Sequence, residues 1–196
     1  MRSWREKSGN ADLAWGIVQL AAFMKFEDGQ PVQRGWPELR ESQYRGATEA
    51  GGGMASAIDL GEADDIHPRR KREVGERLAA WALATAYGKG GDAWRGPELR
   101  EAVREGRAVR LRFDYADGLK PTRGEPGGFA VCGADGVWAW ATARVEGTEV
   151  VVECAAVAEP AGVAYAWQNN PERANMADAD GLPIVPFKLM LRAGAR

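Results

Sequence analysis

Val109-Arg110-Leu111-Arg112-Phe113-Asp114-Tyr115 places an apolar side chain at every odd position and a charged one at every even position. Successive side chains on a strand point to opposite faces, so this stretch predicts a half-buried strand with Val109, Leu111, Phe113 and Tyr115 turned inward. Working outward, 137–145 and 149–153 read as further strands joined at Glu146-Gly147. Gly133-Ala134-Asp135-Gly136 reads as a turn, and 163–167 as a last strand. Short strands separated by glycine turns predict a small β-sandwich-like unit over residues 92–196.

Upstream of about residue 92 the period is different. Residues 13–23 form an almost continuous apolar run of strand length, of the kind buried on both faces of a parallel sheet. Periodicity alone leaves a buried helix open there. Pro37 opens a helical stretch through Gln43, since proline is tolerated in a first turn and the early Glu38 suits the helix dipole. Gly51-Gly52-Gly53 marks a turn, and 54–60 is a second strand candidate. A helix is expected from Pro68, with Val74, Leu78, Trp81, Ala82 and Thr85 as one core-facing stripe and Gly88 at its end. Residues 1–90 therefore read as an α/β part and 92–196 as a β part, packed together across a short boundary.

The chain has 196 residues with 26 basic and 28 acidic side chains, a formal net charge of -2. A general nucleic-acid binder would carry a strong basic excess, so no nucleic-acid partner is expected. The basic run Arg69-Arg70-Lys71-Arg72 reads as a solvated helix face. No stretch of 18 apolar residues occurs, so no membrane-spanning segment is expected. The first seven residues do not form a signal peptide. Cys132 and Cys154 allow at most one bridge, and two buried free thiols are the preferred reading. One histidine and two distant cysteines give no zinc spacing, and Asp178-Ala179-Asp180-Gly181 lacks most ligands of a calcium loop. Neither a metal nor a cofactor is expected. Trp138 and Trp140 share a strand face; they could stack on sugar rings, but packing is the commoner use of strand aromatics.

The segment that carries chemistry is Asp59-Leu60-Gly61-Glu62-Ala63-Asp64-Asp65-Ile66-His67-Pro68. It sets the sole imidazole and several carboxylates between a strand and a helix. If Pro68 is the first helical residue, His67 occupies the N-cap, where Ser, Thr, Asp or Asn would stabilise and histidine does not. A residue that contradicts local preference invites a functional reading. Histidine is the usual general base near neutral pH, and a carboxylate on one ring nitrogen fixes its tautomer. The bland alternative is that the acids complement the helix dipole and the histidine is simply exposed.

His67-Pro68 with Asp64 three positions upstream resembles the Asp-x-x-His block of SGNH hydrolases, in particular the sialate O-acetylesterase-like carbohydrate esterases. The resemblance extends in order through Ile17-Val18-Gln19-Leu20-Ala21, Trp36 to Gln43, Ile58 to Pro68 and Lys71 to Leu78. It continues through Gly128 to Asp135, Tyr165-Ala166-Trp167-Gln168-Asn169-Asn170-Pro171 and Gly181 to Phe187. It implies a partial SGNH-type three-layer α/β domain followed by the β unit. It also implies hydrolysis of O-acetyl esters on sialic acid or related sugars, with His67 as base. General spacing points to Asp64 as its carboxylate, while members of this branch point to Asp65; Asp64 is slightly preferred. The family's Gly-x-Ser nucleophile motif is absent, because the four serines, Ser3, Ser8, Ser42 and Ser56, lie in other settings. The expected partners are thus an O-acetylated sugar and an N-terminal catalytic portion carrying the serine. Full-length relatives are commonly exported. A non-catalytic carbohydrate-binding module or an inactive remnant are the alternatives.

Overall fold

The alternating stretch read above, with valines from a neighbouring strand, lies in one buried cluster of the β part. A computed structural model describes residues 1–191. In the β part it contains β3 (Glu98–Glu105), β4 (Ala108–Asp114), β5 (Lys120–Pro121), β6 (Phe129–Cys132) and β7 (Trp138–Trp140). These are followed by β8 (Thr142–Glu146), β9 (Glu149–Glu153), β10 (Gly162–Tyr165), β11 (Met176–Ala177) and β12 (Phe187–Met190). One antiparallel sheet has the order β3-β4-β9-β8, another β12-β10-β6-β7, and β11 pairs with β5. Val109, Leu111 and Phe113 of β4 and Val150 and Val152 of β9 meet Phe129, Val131, Val163 and Tyr165 of the second sheet in one buried cluster. Each such side chain contributes about 1.5–3 kcal/mol by leaving water. The opposite face of the first sheet is an ion-pair ladder: Arg110 bonds Glu105, Glu146 and Glu149, and Arg112 bonds Glu101 and Glu149.

Three details depart from the alternation read in the sequence. Tyr115 does not turn inward; its backbone is left-handed, with φ 56°, and its ring lies out over the Arg95 guanidinium. Residues 137–145 are not one strand. β7 belongs to the second sheet and β8 to the first, and the chain changes sheets at Ala141, whose N–H donates to Phe129. β3 went unread because a bulge between Leu99 and Glu101 breaks its alternation. Both cysteines are free, Cys132 buried and Cys154 half-buried.

The first part contains α1 (Arg2–Ser8), β1 (Gly16–Val18), α2 (Trp36–Glu49), β2 (Gly53–Ala55) and α3 (Lys71–Tyr87). The architecture is therefore mixed α/β. β1 and β2 pair in parallel, Gly16 opposite Gly53. The Trp81 indole of α3 lies directly on this glycine pair: a Cβ at Gly16 would fall 2.5 Å from Cζ3, and one at Gly53 would overlap Nε1. Two facing glycines are what let the helix sit this close to the sheet.

The expectations for this part are corrected in extent. Of residues 13–23 only three form a strand, and Gly16 and Val18 are exposed rather than buried on both faces. Among the described residues β1 pairs with β2 alone, and beyond Gln19 the chain offers carbonyls to Arg40. Of 54–60 only the beginning is extended; Leu60 closes a turn onto Ala57. The last helix begins at Lys71 rather than Pro68, so Arg70 is its N-cap and His67 is not. Arg69 and Arg70 precede the helix instead of lying on it. The stripe Val74, Leu78, Trp81 and Ala82 is half-buried and Thr85 is exposed, because a two-stranded sheet covers only part of a helix face.

Arg40 of α2 joins the two parts. It is fully buried and donates to four backbone carbonyls: Leu20 at 2.9 Å, and Ala21, Gln168 and Asn169 at 2.7 Å each. Burial pushes its pKa down to about 9, which still leaves it charged at neutral pH. Around it the Gln33 side chain accepts from Asn169 N–H, Trp36 N–H donates to Asn169 Oδ1, and Gln168 Nε2 donates to Glu27 and Gln30. The 165–171 motif is thus the strap by which the β part grips the α/β part.

Candidate active site

The loop 62–69 is built around one carboxylate. Glu62 Oε1 accepts from Arg69 N–H at 2.9 Å and Nε at 3.1 Å, and Oε2 accepts from Nη2 at 2.7 Å. These bonds to Arg69 hold the Glu62 carboxyl below its ordinary pKa. Glu62 also bridges Asp65 through the backbone, and Ala63 accepts from Met24 N–H at 3.0 Å. At the loop's entry Gly61 packs on the Ala22 backbone with no room for a Cβ. At its exit Pro68 is buried. The entry is anchored further by Asp59, which makes a bidentate ion pair with Arg77 at 2.7 Å for both bonds.

At the tip, Asp65 Oδ1 accepts from the backbone N–H of His67 at 2.8 Å and lies 3.9 Å from its Nδ1. The imidazole is 85% exposed. The structure therefore brings Asp65 to His67; Asp64 is exposed, and no hydrogen bond joins it to His67 among the described residues. An exposed imidazole with a carboxylate near Nδ1 can relay a proton for a reactant that arrives from outside the loop. Among the described residues no serine hydroxyl bonds it. Ser8 donates to Arg5, Ser42 to Glu38 and Ser56 to Gln19.

A cavity of about 440 Å³ opens where the two parts meet at the loop's base, between Asp59, Gly61 and Arg70 on one side and Arg123, Asn170 and Glu172 on the other. His67 is not among its walls. A larger hollow of about 770 Å³ beside α1 shares no residue with the loop. It is an open trough remote from the imidazole in the chain, and chemistry is better sought at the loop. The two tryptophans are engaged within the protein. Trp140 Nε1 donates to Asp28, Arg173 covers its ring at 4.7 Å, and Trp138 lies against Gly162. Asp178 spends Oδ1 on the N–H groups of Asp180 and Leu182, so its loop is a turn. Among the described residues no group of three or more His, Cys, Asp or Glu is arranged to hold a metal ion.

The chain resembles a carbohydrate acetylesterase from Xanthomonas citri. The crystal structure of that protein superposes with a TM-score of 0.87 at 38% identity, covering 96% of this chain and 44% of that one. This chain thus spans less than half the length of the protein it matches. No family model matches the chain, and no curated protein matches it. The likeness supports the carbohydrate-esterase side of the resemblance seen in the motifs.

Sequence reading missed Arg40 and Glu62. Arg40 and Arg45 both stand in α2, and nothing in the sequence marks the first as buried. Glu62 stands in the quoted motif, but nothing in the basic run 69–72 marks Arg69 as its partner.

Proposed function

We propose that this chain is the histidine-bearing part of a carbohydrate esterase of the sialate O-acetylesterase type. The observation that carries the reading is the exposed His67 held next to Asp65, in a chain 38% identical to a carbohydrate acetylesterase. On this reading residues 1–90 contribute part of an SGNH-type layered catalytic domain, and residues 92–196 form its β unit. The serine comes from a polypeptide portion outside these residues.

The reaction is acyl transfer. The serine Oγ attacks the acetyl carbonyl while His67 Nε2 takes its proton. The sugar oxygen leaves with that proton. Water then attacks the acyl-serine, His67 takes its proton and returns it to the leaving serine Oγ, and acetate is released. Asp65 stabilises the imidazolium; its 3.9 Å approach to Nδ1 closes to a hydrogen bond when the proton arrives, as catalytic contacts often tighten in the complex. The test is acetate release from O-acetylated N-acetylneuraminic acid, from acetylated xylose and from an aryl acetate. The chain is assayed alone and together with the Gly-x-Ser-bearing portion. Activity on the sialic acid ester only with both pieces supports the proposal. Turnover by the chain alone that is lost on replacing one of its four serines sinks it, and preference for acetylated xylose overturns the sialate assignment.

A further inference from the structure

We infer that Glu62 is a positioning residue for His67, acting with Arg69 as the clasp that closes the loop. The inference rests on the reading of His67 as the base. Its physical argument is one of order. A base that must accept a proton from an external serine needs its ring held within about 0.5 Å of the productive position. His67 receives no such help from packing, since 85% of its side chain faces solvent. The backbone must supply the order instead.

The backbone of 62–69 has few other constraints. It is neither helix nor strand, and Asp64, Asp65, Ile66 and His67 are all exposed. One side chain, Glu62, spans its two ends with three bonds to Arg69, one of them to the main chain. The same residue holds Asp65 through the backbone bridge, and Asp65 in turn receives the His67 N–H. A two-link path therefore runs from the clasp to the imidazole. Charge-assisted, bidentate geometry gives this pair more directional hold than an ordinary surface ion pair. Because the Glu62–Arg69 N–H bond needs no guanidinium, the two partners are unequal: removing the Glu62 carboxylate opens all three bonds across the loop's ends and leaves only the backbone bridge to Asp65, whereas removing the Arg69 guanidinium leaves one of the three.

The sole histidine of the chain is His67, so its ring signals are read without overlap. In the 15N-labelled chain, Glu62→Ala is expected to lower the amide order parameters of residues 64–67 from about 0.85 to below about 0.6. Arg69→Met should give an intermediate drop, and the melting midpoint of the β part should not move. In the enzyme reconstituted with its serine-bearing portion, Glu62→Ala should lower kcat at least ~10-fold with KM within ~2-fold, because an interaction used only in the transition state is lost. Titration of active serines with a covalent inhibitor separates slower sites from fewer sites. Unchanged order parameters overturn the clasp. Unchanged kcat in Glu62→Ala, while His67→Ala is inactive, overturns the positioning role alone. An active His67→Ala overturns the reading of the base itself.

Discussion

The β part and the α/β part are stabilised by different means. The β part has two four-stranded sheets closed around a shared cluster in which Val109, Leu111, Phe129, Val150 and Val163 are fully buried. In the α/β part, neither α1 nor α3 buries a single residue, and the sheet is one pair of three-residue strands. Its order comes instead from Trp81 on two glycines, from Arg40 and from the Glu62 clasp. The candidate chemistry sits on that second part, at an exposed loop. The buried cluster and the proposed base are thus separated in the chain, and substitutions can test each independently.

The largest expected effect is on the reactive group. His67→Ala should cut kcat of the reconstituted esterase by ~10³-fold or more, since members of a catalytic unit fail together. The same change should leave thermal stability untouched, because 85% of the side chain faces solvent. A large loss of stability would show that His67 is structural and would erase the division between the two parts.

Next in size is the core of the β part. Phe129 is fully buried and its ring centroid lies 4.6 Å from that of Tyr165. Phe129→Ala should cost about 3–5 kcal/mol in denaturant unfolding. Leu78→Ala on the half-buried face of α3 should cost under about 2 kcal/mol, because water already reaches that face. Equal costs would mean that α3 is covered as fully as the sandwich core.

How much of this was legible depended on whether a residue's partner lay on its own element. β4 was readable because alternation is local, and α2 because proline and an early acid mark a first turn. The His67 loop was legible as a motif. The choice between Asp64 and Asp65 was not, since spacing does not tell which carboxylate the turn folds toward the ring. The division of 137–145 between two sheets was hidden, because strand-like residues continue through Ala141. The short reach of β1 was hidden for a long-range reason: Leu20 and Ala21 are apolar, yet their carbonyls are taken by an arginine about 20 positions away.

That arginine gives the third prediction. Arg40→Met keeps most of the volume and removes the four donors, leaving carbonyls of Leu20, Ala21, Gln168 and Asn169 without them. Ala21 and Asn169 keep one donor each, from Trp36 Nε1 and the Phe23 N–H, so the expected cost of about 3 kcal/mol comes from the Leu20 and Gln168 acceptors left unpaired. Calorimetry should show the α/β part melting ahead of the β part, as the strap at 168–169 loosens. A single unshifted transition would mean that the remaining bonds to 168–169 and the apolar contact of Ile58 join the two parts without Arg40.

The smallest expected effect uses two carboxyls shifted in opposite directions. Glu62, in the α/β part, is held below its ordinary pKa by hydrogen bonds from Arg69. Its ionised form is bound more tightly in the fold, so its contribution is complete above the unfolded pKa and is lost as pH falls through the depressed folded value. Asp178, in the β part, is held above its ordinary pKa by burial, against the bonds it accepts from Leu182 and Asp180. Its ionised form is the disfavoured one, so acidification through the raised folded pKa toward the unfolded value relieves a cost. Between neutrality and the ordinary carboxylate range near about 4, Asp178 should therefore favour the β part slightly as pH drops. Below that range Glu62 protonates and the loop 62–69 should lose order. Amide order parameters of 64–67 and the melting midpoint of the β part, followed on one sample from pH 7 downward, compare the two directly. Glu62→Gln should abolish the acid step in loop order, and Asp178→Asn should flatten the first trend. If the loop stays ordered through the acid range, the Glu62 carboxylate is not what closes it; if Asp178→Asn leaves the midpoint's pH dependence unchanged, burial of that carboxyl carries no linkage to folding.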